Sequence, residues 1–438
     1  MGEGRVGSLL LKFSIPATLG TLVNATYNIV DRIFVGKRVG EEAIASLSVA
    51  FPALLVIMAV GMLIGFGSNT MISISLGKGK RDRAELLLGQ GVVLFACCAA
   101  FFMAFGLTFT DWVLIQSGAN ETLLPMAREY LSIILFGVFF QMVSFGVNSF
   151  IRGEGNPKIA MVTMFIAAGL NIFLDWLFVW VFDWGIRGAA YATILAQATG
   201  ACWVFGYYLL GFSTLKLRLA NLRISPRLTG SVGMMGFPFF FMNIANSVLY
   251  ACLYNQLGYY AIGTEYGPKT AIAVMGIITM VMFGFSIPLI GISQGMQPLI
   301  GYNYGARQYQ RVIGIFFLAL GAATFFSICS FLFVEFFPEY IFLQFSKDNP
   351  DFVELGAYAV RRYLFMLPIL GCLFISNNFF QAIGRPGVML FLNALRQGVI
   401  LIPLVFILPY YWGIDGIWLA GPISDSVAFV FSVAFVLM

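Results

Sequence analysis

The sequence predicts an all-α polytopic membrane protein, with twelve transmembrane helices in two pseudo-symmetric six-helix lobes around a central cleft. Three observations carry that prediction. Sixty per cent of the 438 residues are apolar and 10% are charged, at a mean hydropathy of +0.89, the composition of a chain dissolved in lipid. Apolar runs of twenty or more residues recur from end to end, and no hydrophilic block is long enough to fold apart. Four short motifs also return in the same order in the second half. The apolar runs lack the alternation of barrel strands, which leaves helices as the way to satisfy the backbone in hydrocarbon.

In chain order, spans fall at about 13–35, 44–76, 85–109, 123–150, 158–182 and 186–211, then at 229–257, 268–300, 310–334, 355–382, 386–408 and 412–438. They define an N-lobe over 1–211, a linker over 212–228 and a C-lobe over 229–438. The second and eighth spans exceed thirty residues and should tilt or protrude. Met1 to Gly7 is short and polar and leads straight into a span, so no cleavable signal peptide is read. With the N-terminus inside, fifteen Lys and Arg fall in cytoplasmic turns, against five outside: Lys37, Arg38, Arg187, Lys269 and Lys347. That bias puts both termini in the cytoplasm, as in a multi-pass protein of the cell (inner, cytoplasmic) membrane. The net charge of +5 is spread over those turns and is no nucleic-acid footprint.

The repeat orders the halves. Ser-Ile-Pro16 returns as Gly-Phe-Pro238 222 residues later, and Leu76-Gly77 as Ile300-Gly301 224 later. Gly155-Asn-Pro157 returns as Gly384-Arg-Pro386 229 later, and Trp184-Gly-Ile-Arg-Gly188 as Trp412-Gly-Ile-Asp-Gly416 228 later. Six spans separate each pair, so the halves share one orientation about an axis along the membrane normal. Two similar lobes with a cleft between them are a transporter's architecture. Pro16 and Pro238, early in spans one and seven, are candidate hinges.

Chemistry concentrates in a few polar residues. Asn24, Tyr27 and Asp31 lie at i, i+3, i+7 and share one face of the first span. A charge inside a span is expensive and normally faces a cavity or a partner; otherwise Asp31, followed by Arg32, Lys37 and Arg38, marks the outer end of the helix. Asn171 and Asp175 share a face of span five at a similar depth, and Thr193 enters at that level in span six. Together these groups could hold a proton or ligate a small cation such as Na⁺, unless the acids are unrelated residues near helix ends. The second lobe offers Arg396 and Asp425 instead, a possible buried ion pair of structural or functional use. Gln141 and Asn148 in span four, and Asn243, Asn246 and Tyr250 in span seven, form polar stripes that either glue helices or bind substrate. Met and aromatic side chains along a cleft would suit irregular apolar bodies and organic cations. The chain has no His, its six Cys show no ligand spacing, and no Walker loop is present. These absences argue against a zinc site, a Ser-His-Asp device and ATP hydrolysis, and the chain is expected to be no enzyme and to use no organic cofactor.

Tyr27-Asn28-Ile-Val-Asp31, the closures at Gly77 and Gly301-Tyr-Asn-Tyr-Gly-Ala-Arg307, Arg152-Gly-Glu-Gly-Asn-Pro157, Asn171-Ile-Phe-Leu-Asp175 and Gly188-Ala-Ala-Tyr-Ala-Thr193 are similar to motifs of one family. With Pro16, they resemble the multidrug and toxic compound extrusion (MATE) transporters, most closely the DinF-like branch. The resemblance covers essentially the whole chain. It implies export of cationic amphipathic compounds against an inward flow of H⁺ or Na⁺, by alternating access. It also implies an N-lobe ion site at Asp31, Asn171, Asp175 and Thr193, with Asn24 and Tyr27 beside it. The NorM-like branch adds a C-lobe acidic site on helices seven and ten, where this sequence has Asn246 and Ser376/Asn377. The expected partners are small organic cations and membrane lipid, with no nucleic acid, and the protein is expected to act as a monomer. The alternative is a flippase for lipid-linked precursors on a related two-lobed fold, which would need a broad cationic cavity. A channel or receptor would need no lobe repeat.

Overall fold

The computed structural model describes residues 1–345 and 350–438; Lys347, counted above among the outer cations, lies outside them. Twelve long helices fill the described residues, and no strand occurs among them. The N-lobe holds α1 (Val6–Arg38), α2 (Glu41–Gly77), α3 (Arg81–Thr108), α4 (Leu124–Glu154), α5 (Pro157–Val181) and α6 (Gly185–Leu209). The C-lobe holds α7 (Pro226–Tyr260), α8 (Gly267–Gly305), α9 (Tyr309–Phe336), α10 (Pro350–Tyr363 with Leu367–Ala382), α11 (Pro386–Trp412) and α12 (Ile414–Leu437). Ten of these are long and apolar enough to cross a membrane, or eleven counting the bent pair in α10. The twelfth, α6, is diluted by Gly, Ala and polar residues and falls short by composition alone. At a rise of about 1.5 Å per residue, the 37 residues of α2 and 39 of α8 outrun a hydrocarbon core of about 30 Å.

The sequence repeat is a backbone repeat. α4 ends on Gly155 at φ +110° and α5 opens on Pro157; α10 is followed by Gly384 at φ +77° and α11 opens on Pro386. A left-handed residue stops one helix, and a proline, which has no N–H to satisfy, starts the next. The Trp184-Gly185 and Trp412-Gly413 turns match as well, with glycine φ values of 57° and 56°. A short helix follows α3 (Thr110–Gln116) and another follows α9 (Pro338–Leu343), a correspondence the apolar pattern does not reveal. Span ten departs from its expected single helix. Pro368 lacks an N–H and crowds the carbonyl four residues back, and the two halves of α10 meet at 47°.

Each lobe has its own apolar core, but α1 and α7 cross between lobes. Leu10 and Phe13 at the start of α1 pack in the C-lobe core, and Val232 at the start of α7 packs in the N-lobe core. Farther along α1, Gly20 faces Met164 of α5 in the N-lobe. Pro16 and Pro238 are buried and their helices run on through them.

The lobes meet along a seam of small residues. A Cβ on Gly236 of α7 would strike the Leu63 carbonyl of α2, and one on Gly77 would strike the Tyr302 carbonyl of α8. Backbones approach this closely only where a side chain is missing. Two buried hydrogen bonds cross the same seam: Asn69 Nδ2 donates to Gln297 Oε1 (3.3 Å) and Gln297 Nε2 to Thr70 Oγ1 (2.9 Å). All these contacts lie toward the starts of α1 and α7 and the ends of α2 and α8. The lobes are therefore joined at the end of the bundle that carries the N-terminus.

The linker is bound to the N-lobe by two buried acids. Glu154 Oε2 accepts hydrogen bonds from the hydroxyls of Ser213 and Thr214 and from the Leu215 N–H. Glu85 accepts from the Lys216 N–H and pairs with Arg81 and Arg218.

Candidate functional site

A cavity of about 230 Å³ opens inside the N-lobe, lined by α1, α2, α4, α5 and α6. Asn24, Tyr27 and Asp31 line it from one side, as their i, i+3, i+7 spacing requires. Gln141, Asn171 and Thr193 face them. Asp175, one turn beyond Asn171, is fully buried, and its carboxyl stands beside that of Asp31. Asn171 Nδ2 donates to Thr193 Oγ1 at 3.5 Å, holding α5 to α6 beside the acids. The four residues expected to form an ion site are thus brought together, and Asp31 does not mark a helix end in isolation.

The electrostatics of this cavity are one-sided. Asp31 Oδ1, Asn171 Oδ1, Gln141 Oε1, Gln197 Oε1 and both Asp175 carboxylate oxygens are buried without a partner among the described residues. Every one is an acceptor. Arg32, the cationic side chain on the wall, leans over the Phe51 ring at 5.6 Å and is exposed. Two ionised carboxylates cannot sit side by side in low dielectric. The pair requires a shared proton or a cation between its oxygens.

Local backbone irregularity positions these groups. A π-helical turn, Trp176–Val181, begins immediately after Asp175, and another, Val143–Val147, follows Gln141 in α4. Such wide turns interrupt α-helices where a site needs a side chain re-aimed. The turn in α4 corrects one expectation. Gln141 and Asn148 should share a face at i, i+7, but the wide turn shifts the register by about one residue, or about 100°. Gln141 lines the cavity, whereas Asn148 is fully buried and donates to the Ala160 carbonyl of α5 at 3.1 Å. Asn148 joins helices and lines neither cavity.

Tyr130 and Gln197 were not foreseen. Tyr130 stands beside Tyr27, Asp31 and Asp175. It precedes Gln141 by eleven residues, three helical turns, so the shared face was readable. Gln197 follows Thr193 at i+4 and was readable in the same way.

The C-lobe has a cavity of about 370 Å³, lined by Asn243, Asn246, Tyr250, Arg396 and Asp425 among others. Arg396 Nε donates to Asp425 Oδ1 at 2.6 Å, and the Ser424 hydroxyl donates to the Arg396 carbonyl at 2.6 Å. Asn246 Oδ1 accepts from Gln397 Nε2 at 2.9 Å, and Asn243 Nδ2 donates to the Phe239 carbonyl at 2.8 Å. Arg396 and Gln397 stand in a third π-helical stretch, Ala394–Leu401.

Twelve long helices, two lobes with cavities, one acid on the wall of the first cavity and a buried acid beside it define a polytopic membrane transporter. The MatE family model matches residues 16–177 and 238–407, two stretches that begin at Pro16 and Pro238, the first repeated pair. The chain therefore belongs to the MatE family and is a MATE multidrug efflux transporter. It is 25% identical over 417 residues to the multidrug export protein MepA of Staphylococcus aureus strain MSSA476, covering 95% of this chain and 90% of MepA. The MATE multidrug transporter DinF-BH is 33% identical and superposes with a TM-score of 0.90, covering 98% of this chain and 95% of that one. A MATE transporter of the MOP superfamily solved in an outward-facing conformation shares the fold, at a TM-score of 0.90 and 23% identity over 99% and 95% of the two chains.

Proposed function

We propose that the protein exports amphipathic organic cations from the cytoplasm by antiport with H⁺ or Na⁺, and that Asp31 and Asp175 bind the coupling ion. The observation that carries this reading is the adjacent pair of carboxyls, Asp175 fully buried and Asp31 half-buried, surrounded by unpaired oxygen acceptors. Such a site is unstable when empty and ionised, and either a proton or a small cation relieves it. Asn171 and Thr193 supply further oxygens for a cation. Asn24 and Tyr27 share the cavity, so a bound organic cation and the coupling ion draw on the same negative charge. Their competition links the two fluxes.

With the basic turns inside, the joined end of the bundle is cytoplasmic. Binding of the coupling ion from outside releases the drug there, and its discharge inward resets the carrier. α1 carries the signal, because its first half packs on the C-lobe and its second half carries Asp31. The transporter acts as a monomer in the cell membrane and needs no organic cofactor. The flippase alternative calls for a broad cationic cavity, but Arg32 and the paired Arg396 are the cavity cations among the described residues.

The test is export of a cationic dye by proteoliposomes under an imposed pH gradient and, separately, an imposed Na⁺ gradient. One gradient should drive export in the native protein, and Asp31→Asn and Asp175→Asn should each abolish it. Full ion-driven export by both variants refutes the assignment.

A further inference from the structure

The C-lobe cavity differs in kind from the N-lobe one. Ser293, Asn377, Asn393 and Gln397 line it, none more than 8% exposed. Each keeps a side-chain polar atom without a partner among the described residues, and so does Gln294 beside them. These orphans include both signs: the Asn393 amide nitrogen is a donor, and the amide oxygens of Gln294, Asn377 and Gln397 are acceptors. Arg396 adds stronger donors. Its Nε is spent on Asp425, but its two Nη groups make no hydrogen bond among the described residues. Another part of the wall is apolar, with Phe66 of α2 and Phe239 stacked 4.5 Å apart. Buried polar groups left unmade are costly, and so many around one cavity make a polar wall that water or a ligand satisfies.

We propose that the C-lobe cavity is a second ligand site, built for an amphipath that carries a carboxylate held by the free fork of Arg396. A guanidinium presents paired donors that match a carboxylate, whereas the orphaned atoms of the N-lobe cavity offer an anion nothing but acceptors. Asp425 holds Arg396 in place through Nε and keeps the empty cavity near neutral. The flat aromatic wall takes the apolar body, and the amides take its remaining donors and acceptors. A zwitterionic aromatic amphipath therefore fits here, and a simple cation fits the N-lobe. This inference rests on the reading that the chain carries amphipathic organic molecules, and it adds a class and a place.

A matched pair of xanthene dyes, one a cationic ester and the other its zwitterionic free acid, separates the two readings. Binding is measured by fluorescence polarisation on the purified full-length protein in nanodiscs. The native protein should bind both dyes. Arg396→Gln combined with Asp425→Asn removes both charges and strands neither, and should weaken the acid relative to the ester roughly tenfold or more. Asp425→Asn alone leaves the guanidinium wholly free, so the acid should bind at least as tightly as before. If the double variant fails to fold, Arg396→Lys keeps the charge but loses the fork, and should shift the ratio in the same direction. An unchanged acid-to-ester ratio overturns the proposal. Native protein that binds the ester alone overturns this inference and spares the export reading, whereas failure to bind either dye overturns both.

Discussion

The two lobes share a backbone plan and differ in what they bury. Each turns from its fourth to its fifth helix through a left-handed glycine and a proline, and each lines a cavity, the C-lobe one sharing Met58, Met62 and Phe66 of α2. In the N-lobe two carboxyls face each other, like against like. In the C-lobe a guanidinium meets a carboxylate at 2.6 Å through Nε, unlike against unlike, with its two Nη groups left free. A like pair is at rest only when a third species sits between its members, so its occupancy alternates and can drive something. An unlike pair needs no third charge to be at rest, and serves to hold position and select a ligand. A repeated fold has thus been given one lobe that changes state and one that does not.

The sharpest way to break that comparison is to neutralise one acid in each lobe. Asp175→Asn should reduce ion-driven dye export by roughly 100-fold or more, the loss of an obligatory charge at the coupling step. Asp425→Asn should change it by less than about tenfold. Equal losses in the two proteoliposome assays would remove the distinction between the lobes.

Stability should divide them in the opposite sense. Arg396→Gln strands Asp425, which is largely buried, and should cost about 3–5 kcal/mol, whereas the double change with Asp425→Asn should cost far less. Asp31→Asn removes one of two like groups and should leave stability unchanged or raised. Thermal unfolding in detergent, followed by intrinsic fluorescence, orders these variants. A double variant no better than Arg396→Gln would mean that the ion pair is not a self-contained unit.

Much of this was legible in the sequence, because the lipid core forces a long apolar run for each helix. Asp31, Asn171, Asp175 and Thr193 could be grouped because helical spacing and depth in the membrane both follow from counting residues. What counting could not supply depends on departures from the ideal helix. The wide turn after Gln141 rotates Asn148 away from the cavity, and a pattern of 3.6 residues per turn carries no sign of it. The break in α10 follows from Pro368, yet prolines inside α1, α2, α7 and α12 leave those helices continuous, so proline alone does not predict a bend. The seam at Gly77 and Gly236 and the anchoring of the linker on Glu85 and Glu154 are long-range pairings. No local pattern encodes them.

The seam gives a smaller test. Gly236→Ala should cost about 1–3 kcal/mol, since the new methyl meets the Leu63 backbone, which has no rotamer to yield. A Cβ at Gly233, one turn earlier on α7, would meet nothing within 4 Å, and Gly233→Ala should be neutral or slightly stabilising. Equal melting temperatures for the two variants would show that the lobes do not press together at Gly236.

The smallest expected effect tests how far the N-lobe site extends. Tyr130 is 7% exposed, lines the acid-bearing cavity and stands beside both aspartates. Its hydroxyl is the sort of neutral donor that a carboxyl pair can use when the coupling ion leaves. Tyr130→Phe keeps the ring and its packing and removes only that donor, which is worth about 0.5–1.5 kcal/mol. Ion-driven export should fall about two- to tenfold with little change in melting temperature. In the C-lobe, Tyr250→Phe also removes a cavity hydroxyl, but one with no acid pair to serve. It should leave the ion dependence of export as in the native protein. If both phenylalanine variants alter that dependence alike, the coupling chemistry is shared between the lobes and the contrast drawn from their buried charges fails.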